Sequence, residues 1–154
     1  MILTAHMISG GVTGEIIGNP VIAFVVGIIL HFVLDAIPHF DVLDEGRATK
    51  RQFIFSVTET VVGLLFIFGF IRPELSWSSP FLWGMAGSIL PDLITNVPFW
   101  WNFTRNRSKI GKAVYKLHLR IHKKQPSFAI GMLIRLVVVI FFISLLVLSR
   151  SSIY

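Results

Sequence analysis

Four side chains that could bind a metal ion lie close together in the first half of the chain: His31, Asp35, His39 and Asp41. His31 and Asp35 are four positions apart, so on a helix both side chains project from one face. Imidazole and carboxylate are ligands of Zn²⁺, Mn²⁺ and Fe²⁺, with bonds of about 2.0–2.2 Å. The spacing therefore predicts a metal site. The alternative is that Asp35 accepts a hydrogen bond from His31 while His39 and Asp41 are solvated.

Asp92 is a second candidate ligand, because it follows Pro91 inside an apolar segment. A proline within a helix leaves a backbone carbonyl without its usual donor, which helps to shape a polar pocket. The sequence thus predicts that Asp92 binds the metal or supports a ligand. The alternative is a carboxylate that bonds only to Thr95 or Asn96.

Glu59 and His6 each lie in another apolar segment. Glu59 is predicted to be a ligand or the general base; alternatively it pairs with Thr58, Thr60 or an arginine. His6 is predicted to be a ligand, the alternative being a histidine that only donates a hydrogen bond between helices. An ionisable side chain inside an apolar, membrane-spanning segment is costly unless it is paired or binds a cation. Such a residue is therefore a candidate for function.

Residues 109–124 predict an amphipathic interfacial helix. An apolar stripe runs along it, and lysines and arginines occupy the other face. The stripe consists of Ile110, Val114, Leu117 and Ile121. His118 and His122 flank the stripe and lie four positions apart. They are predicted to be ligands that cover the metal site from this helix. The alternative is that they belong to a solvated face.

The composition is that of an integral membrane protein. Of the 154 residues, 54% are hydrophobic and only 14% charged, against roughly 25% charged in soluble domains. The length predicts a single domain, 1–154. No cysteine is present, which excludes disulfides and thiolate ligands. The formal charge of +6 comes from loops beside apolar segments, which favours anionic lipid headgroups over nucleic acid as the partner.

Four segments approach the roughly 20 apolar residues that a spanning helix needs: 20–37, 52–71, 80–101 and 127–149. Residues 1–18 are rich in glycine and predict a short, closely packed helix. We therefore expect an all-α integral membrane bundle of four transmembrane helices, a short N-terminal helix and an amphipathic interfacial helix.

The distribution of Lys and Arg predicts a cytoplasmic N-terminus, because most of them lie in the loops around 47–51 and 105–124. With this orientation the helical acids and histidines fall at a similar depth, on the order of 10 Å inside the boundary. These residues are His6, His31, Glu59 and Asp92. The sequence thus predicts one pocket that faces the cytoplasm.

The motifs resemble those of the LexA-regulated, membrane-bound metal-dependent hydrolases of the YdjM type. That family has an early Gly/Thr-His, a His-x3-Asp-x2-Thr-Pro segment, a Leu-Pro-Asp-x-Asp segment and a late His-Arg-Gly-x-Thr-His pair. The segments here that resemble them are Thr4 to His6, His31 to Pro38, Leu90 to Asp92 and His118 to His122. The order of motifs differs, and Ile94 stands where the family has its second Asp.

His31 and Asp35 are also similar to the His-x3-Asp elements of zinc-dependent phospholipase C. Together these resemblances imply a prokaryotic inner-membrane hydrolase that uses a divalent metal, with zinc the first choice and Mn or Fe the alternatives.

The function expected is that of a metal-dependent hydrolase of a phosphoester, in a lipid or lipid-linked substrate of the cytoplasmic leaflet. The predicted ligands of one or more divalent ions are His6, His31, Asp35, Asp92, His118 and His122. The predicted catalytic groups are Glu59, His39 and Asp41, and the lysines expected to attract the anionic substrate are Lys112, Lys116, Lys123 and Lys124. The alternatives are a divalent metal cation carrier and a non-catalytic membrane scaffold tied together by its metal.

Overall fold

The computed structural model describes residues 3–39, 50–71, 73–96, 103, 107–121 and 126–151. This part of the chain contains helices and no strand, so the predicted all-α class is confirmed. The helices are α1 (Leu3–Ile17), α2 (Pro20–Asp35), α3 (Lys50–Phe66), α4 (Pro80–Asn96), α5 (Lys109–Ile121) and α6 (Phe128–Ser151). Helix α3 continues as a π-helical segment over Ile67–Ile71.

The tight connection between α1 and α2 follows from three residues. Gly18 adopts the left-handed conformation at φ 72°, which glycine allows without steric cost. The Asn19 side chain then accepts hydrogen bonds from the backbone N–H groups of Val21 and Ile22 at 3.0 and 3.1 Å. Pro20 occupies the first turn of α2, where no backbone N–H is needed. The two helices therefore turn back on each other within two residues.

Helices α1, α2 and α4 form the centre of the structure and approach each other at glycines. A Cβ placed on Gly27 of α2 would lie 2.5 Å from the carbonyl oxygen of Gly84 on α4, and one placed on Gly84 would overlap the carbonyl oxygen of Gly10 on α1. Small residues at such crossings let the backbones come close. This close approach allows short side chains on three different helices to reach a common point.

Helices α3 and α6 pack outside this centre. The largest cluster of buried apolar residues joins α1, α4, α6 and the π-helical segment. Its members are Met7, Ile8, Val12, Ile67, Ile71, Phe81 and Leu146. At the end of α6 Arg150 donates to both carboxylate oxygens of Glu15, at 2.9 and 3.2 Å, and to the carbonyl oxygen of Ile71 at 3.1 Å.

Two helices in the described ranges are long and apolar enough to cross a membrane, by length and composition: Phe53–Ile71 and Phe128–Ser151. Helix α2 is apolar but shorter, at 16 residues. Length and composition thus support two of the four predicted spans. The predicted amphipathic helix is present as α5, and residues 122–124 of the prediction lie outside the described residues.

Candidate metal centre

Helix α2 and the residues that directly follow it supply three of the polar side chains. His31 Nε2 lies 3.2 Å from Asp35 Oδ2, as the spacing of four predicts. The chain turns on beyond the helix, with the N–H of Ala36 donating to the carbonyl of Phe32 at 3.1 Å. This turn brings His39 back over Asp35, so that His39 Nε2 lies 3.8 Å from Asp35 Oδ1. Asp35 is therefore the centre of the cluster.

Helix α1 adds His6, which is fully buried. Its Nε2 lies 3.2 Å from Asp35 Oδ1. Its ring stacks on that of His31, with the two ring centroids 4.3 Å apart. His6 thus faces one oxygen of Asp35 while His31 faces the other.

Helices α4 and α5 complete the cluster. His118 Nε2 lies 2.8 Å from His31 Nε2 and 3.2 Å from Asp35 Oδ2. Asp92 Oδ1 lies 3.6 Å from His118 Nε2 and 3.9 Å from His31 Nε2. Side chains from α1, α2, α4 and α5 therefore meet around Asp35, whereas Glu59, which was expected in the same pocket, is not among them.

Backbone carbonyls fix the tautomers of two histidines. His31 Nδ1 lies 2.7 Å from the carbonyl oxygen of Ser88, and His39 Nδ1 lies 2.7 Å from that of Ile37. A carbonyl oxygen only accepts, so each Nδ1 carries the proton. In the neutral ring each Nε2 then presents a lone pair towards Asp35, and such an N–H···O=C bond is the usual outer partner of a metal-binding histidine.

The spacing of these atoms fits a small divalent ion. With bonds of about 2.0–2.1 Å, neighbouring ligands of a tetrahedral ion stand about 3.3 Å apart. The close contacts between nitrogen and oxygen atoms of the cluster are 2.8–3.9 Å long. Two groups have all their ligand atoms within 4.8 Å of one another: His6, His31 and Asp35, and His31, Asp92 and His118. The cluster could therefore hold a metal ion.

The cluster is buried, with one side more open than the rest. The side chains of His6 and His31 are inaccessible and that of Asp35 is 2% exposed, whereas that of Asp92 is 14% exposed. Access from outside is therefore greatest at Asp92, between α4 and α5. Buried imidazoles and carboxylates need partners or an ion to compensate for lost hydration.

Glu59 lies apart from both groups of ligand atoms. Its Oε1 accepts a hydrogen bond from the backbone N–H of Thr4 at 3.3 Å, and its backbone carbonyl accepts from the Thr4 hydroxyl at 3.2 Å. The guanidinium of Arg135 interacts with it electrostatically. Glu59 thus holds the first turn of α1, two residues before His6. Its predicted role as base or ligand stays a prediction.

The remaining predicted site residues divide into two sets. Lys112 and Lys116 lie on the exposed side of α5. The others lie outside the described residues, and their predicted roles stay predictions: Asp41, His122, Lys123 and Lys124.

Sequence reasoning missed Ser88. Its backbone carbonyl orients His31, and its buried side chain lies at the crossing where a Cβ on Gly10 would overlap it. One signal was present, because Ser88 precedes Asp92 by four positions and therefore shares its helix face. Comparison with known families, with curated proteins and with solved structures finds no match for this chain.

Proposed function

We propose that this chain is an integral membrane hydrolase that uses a divalent metal ion, with zinc as the first choice, to cleave a phosphoester. The observation that carries the proposal is a cluster of five side chains from α1, α2, α4 and α5, namely His6, His31, Asp35, Asp92 and His118. They offer imidazole nitrogens and carboxylate oxygens, the donors that suit zinc in hydrolytic sites. The motif resemblance to YdjM-type hydrolases supports the same reading.

A membrane location is supported by the apolar surface of the helices. On α2 a stripe of large side chains at every fourth position is more than half exposed: Val21, Val25, Ile29 and Val33. Soluble proteins rarely leave such a continuous apolar surface in water. We propose that α2 and α4 cross the membrane together with α3 and α6, as a four-span prokaryotic inner-membrane bundle with a cytoplasmic N-terminus.

The substrate is proposed to be a phosphoester in a lipid or lipid-linked molecule of the cytoplasmic leaflet. The more open side of the cluster lies beside α5, whose Lys112 and Lys116 are exposed. Their charge favours an anionic headgroup close to Asp92. The apolar side chains of Ile110 and Leu117 on the same helix are exposed as well, as expected for a helix at a membrane interface.

A bound divalent ion would supply Lewis acidity at the phosphoryl group and at the attacking water. Residues of the chain would position the ion and accept the proton of the attacking water. His31, held by the carbonyl of Ser88, would fix the position of the ion, and Asp92, the more exposed carboxylate of the cluster, would bind the ion through Oδ1 and take a proton from the attacking water through its other oxygen. The water oxygen bonds to phosphorus, the bond from phosphorus to the alcohol oxygen breaks, and the alcohol leaves with a proton.

A carrier is less well supported, because a transport path needs polar groups through the whole bilayer. At the opposite end of α1 from His6, Arg150 binds both carboxylate oxygens of Glu15. This ion pair links α1 to α6. Both carboxylate oxygens of Glu15 therefore already bind a cationic side chain.

The test uses the full chain in lipid nanodiscs, loaded with Zn²⁺ and supplied with a panel of phospholipids. We expect release of a phosphorylated headgroup or of phosphate by the wild type, and loss of that release in Asp92→Asn. Glu74→Gln is the matched control, since Glu74 is an exposed acid in the loop before α4. Zinc flux into liposomes without hydrolysis would establish a carrier instead, and bound zinc with neither activity would establish a scaffold.

A further inference from the structure

Helix α5 packs against the rest of the described chain through a narrow face. Its buried residues are Gly111 and His118, which are seven positions apart and therefore lie on one side of the helix. The ring of His118 lies beside those of His31 and Phe32, with ring centroids 5.0 and 5.3 Å apart. Most of the other side chains of α5 are exposed. The position of α5 therefore depends chiefly on the contacts of one histidine.

The side of α5 that points away from this buried face is cationic. Its charged residues recur at spacings of three and four, and all are exposed: Lys109, Lys112, Lys116 and Arg120. The sequence of α5 contains no Asp or Glu, so no charge within the helix neutralises this cationic face. Each Lys or Arg close to an anionic membrane surface adds to the attraction between the two. The cationic face is therefore complementary in charge to anionic lipid headgroups.

The apolar stripe of α5 lies between the buried face and the cationic face. Two of its members, Ile110 and Leu117, are 71% and 41% exposed. A helix that lies in the plane of a membrane interface covers such side chains with acyl chains and keeps its cations at the level of the headgroups. The stripe and the cationic face thus fit the same partner, an anionic membrane surface.

We infer that the cationic face of α5 binds anionic lipid headgroups of the membrane in which the chain lies, and that this binding raises the affinity of the metal site for its ion through His118. The inference rests on the membrane location and the metal site of the proposed function. It adds a regulator to them, the surface charge of the membrane, which is distinct from the substrate.

The coupling follows from the position that His118 must occupy. Its Nε2 lies 3.2 Å from Asp35 Oδ2 and 2.8 Å from His31 Nε2, so His118 reaches the ion only while α5 is docked against α2. The apolar stripe is next to the buried face, so the docked helix keeps its apolar side chains beside the bundle and turns its cations outwards. The membrane surface and the ion therefore favour the same position of α5. Two ligands that favour one conformation strengthen each other's binding, and the effect is reciprocal.

The test measures the affinity of the full chain for Zn²⁺, by competition with a chromophoric chelator, in two kinds of lipid nanodisc. One kind contains phosphatidylcholine alone, and the other contains phosphatidylcholine mixed with phosphatidylglycerol. We expect the anionic membrane to raise the affinity by about fivefold or more, the lower end of the range for coupled sites. Phosphatidylserine should give the same gain, because the charge of the surface and not the identity of the headgroup attracts the helix.

Salt should reduce the gain. The Debye length falls from about 10 Å at about 0.1 M salt to about 3 Å at about 1 M, so the attraction between α5 and the surface is largely screened at the higher concentration. A gain that is independent of salt would contradict binding by the cationic face.

Charge reversal on α5 locates the effect. Lys116→Glu should lose most of the gain, and Lys112→Glu repeats the test at a second position of the cationic face. Lys50→Glu is the matched control, because Lys50 is an exposed lysine at the start of α3 and the change in net charge is the same. This control should keep the gain. It also corrects for Zn²⁺ that accumulates at any anionic surface, since that accumulation acts on all variants alike.

Three results would overturn the coupling: equal affinities in the two membranes, a lower affinity in the anionic membrane, or a gain of the same size in Lys116→Glu and Lys50→Glu. Failure of the coupling is distinguishable from failure of the proposed function. A chain that binds zinc equally well in both membranes loses the regulator and keeps the metal site, whereas a folded chain that binds no zinc in either membrane contradicts the metal site and the coupling together.

Discussion

The Nε2 atoms of His31 and His118 lie 2.8 Å apart, although the two residues are 87 positions apart in the sequence. His31 Nδ1 carries its proton towards the carbonyl of Ser88, so two unprotonated Nε2 atoms would repel each other at this distance. A proton or a metal ion must lie between them. The relationship makes α5, a surface helix, part of the buried site.

Replacement of His118 should therefore weaken the packing of α5 against α2 and α4, and it should also weaken metal binding. The buried residues of α5 are Gly111 and His118, so the histidine is its main side-chain contact with α2 and α4. We expect His118→Ala to lower the affinity for Zn²⁺ by more than the 10–100-fold typical of losing an outer partner of a ligand. Titration against a competing chromophoric chelator measures the affinity.

His118→Ala should also become more sensitive to trypsin at Lys112, Lys116 and Arg120, because α5 is then no longer held against the metal site. Wild-type protein treated with a chelator should show the same new cleavage, and zinc should suppress it in the wild type alone. Equal cleavage of α5 with and without zinc in the wild type would show that the metal does not hold this helix.

Metal affinity should fall as the pH is lowered. An imidazole binds a metal only when the ligating nitrogen is unprotonated, and free imidazole titrates at about pH 6.5. Below that value the apparent Zn²⁺ affinity should decrease by about tenfold per pH unit for each histidine that must lose a proton. Chelator competition between pH 5.5 and 7.5 measures the slope. A flat profile would indicate binding by carboxylates alone.

Replacing Gly27 by alanine should separate α2 from α4. The new Cβ would lie 2.5 Å from the carbonyl oxygen of Gly84, too close for any real contact, so the backbones must shift. Overpacking of this kind costs about 1–3 kcal/mol. We expect a lower melting temperature and weaker zinc binding, since His31 follows Gly27 by about one helical turn.

Gly69→Ala is the matched control for Gly27→Ala, because a Cβ at Gly69 meets no atom within 4 Å. It should leave zinc binding and the melting temperature close to those of the wild type. Equal effects of the two substitutions would contradict the close packing of α2 against α4.

Glu59 should act as a positioning residue for α1. Glu59→Ala removes the oxygen that accepts from the N–H of Thr4, and loss of a helix cap costs about 0.5–2 kcal/mol. Glu59→Gln keeps an acceptor oxygen and should restore both the melting temperature and the zinc content. If Glu59→Gln retains zinc but loses hydrolysis, the carboxylate is the general base instead.

Several helices and part of the cluster could be predicted from the sequence for local reasons. Asn19-Pro20 indicated where α2 begins, and the spacing of four placed His31 and Asp35 on one face. The distribution of Lys and Arg predicted a similar depth for His6 and Asp92, and that depth stays a prediction. These inferences depend only on helical geometry and on where the apolar segments end.

The contacts between helices could not be predicted in the same way. Glu59 accepts hydrogen bonds from the backbone N–H and the hydroxyl of Thr4, because the rotation of α3 against α1 places these two residues side by side. The pairing of Glu15 with Arg150 likewise depends on how α1 and α6 cross. His39 lies beyond the end of α2, and it reaches Asp35 because the chain keeps turning after the helix ends.

X-ray absorption spectroscopy of the zinc-loaded full chain tests the central claim most directly, because it reports the atoms bound to the ion. The structure predicts nitrogen and oxygen ligands at about 2.0–2.1 Å, with the scattering pattern of at least two imidazoles per chain. Asp35→Asn should weaken or abolish this signal. A wild-type spectrum without imidazole ligands, or a chain that retains no zinc after dialysis, would contradict a metal centre built on His31, Asp35 and His118.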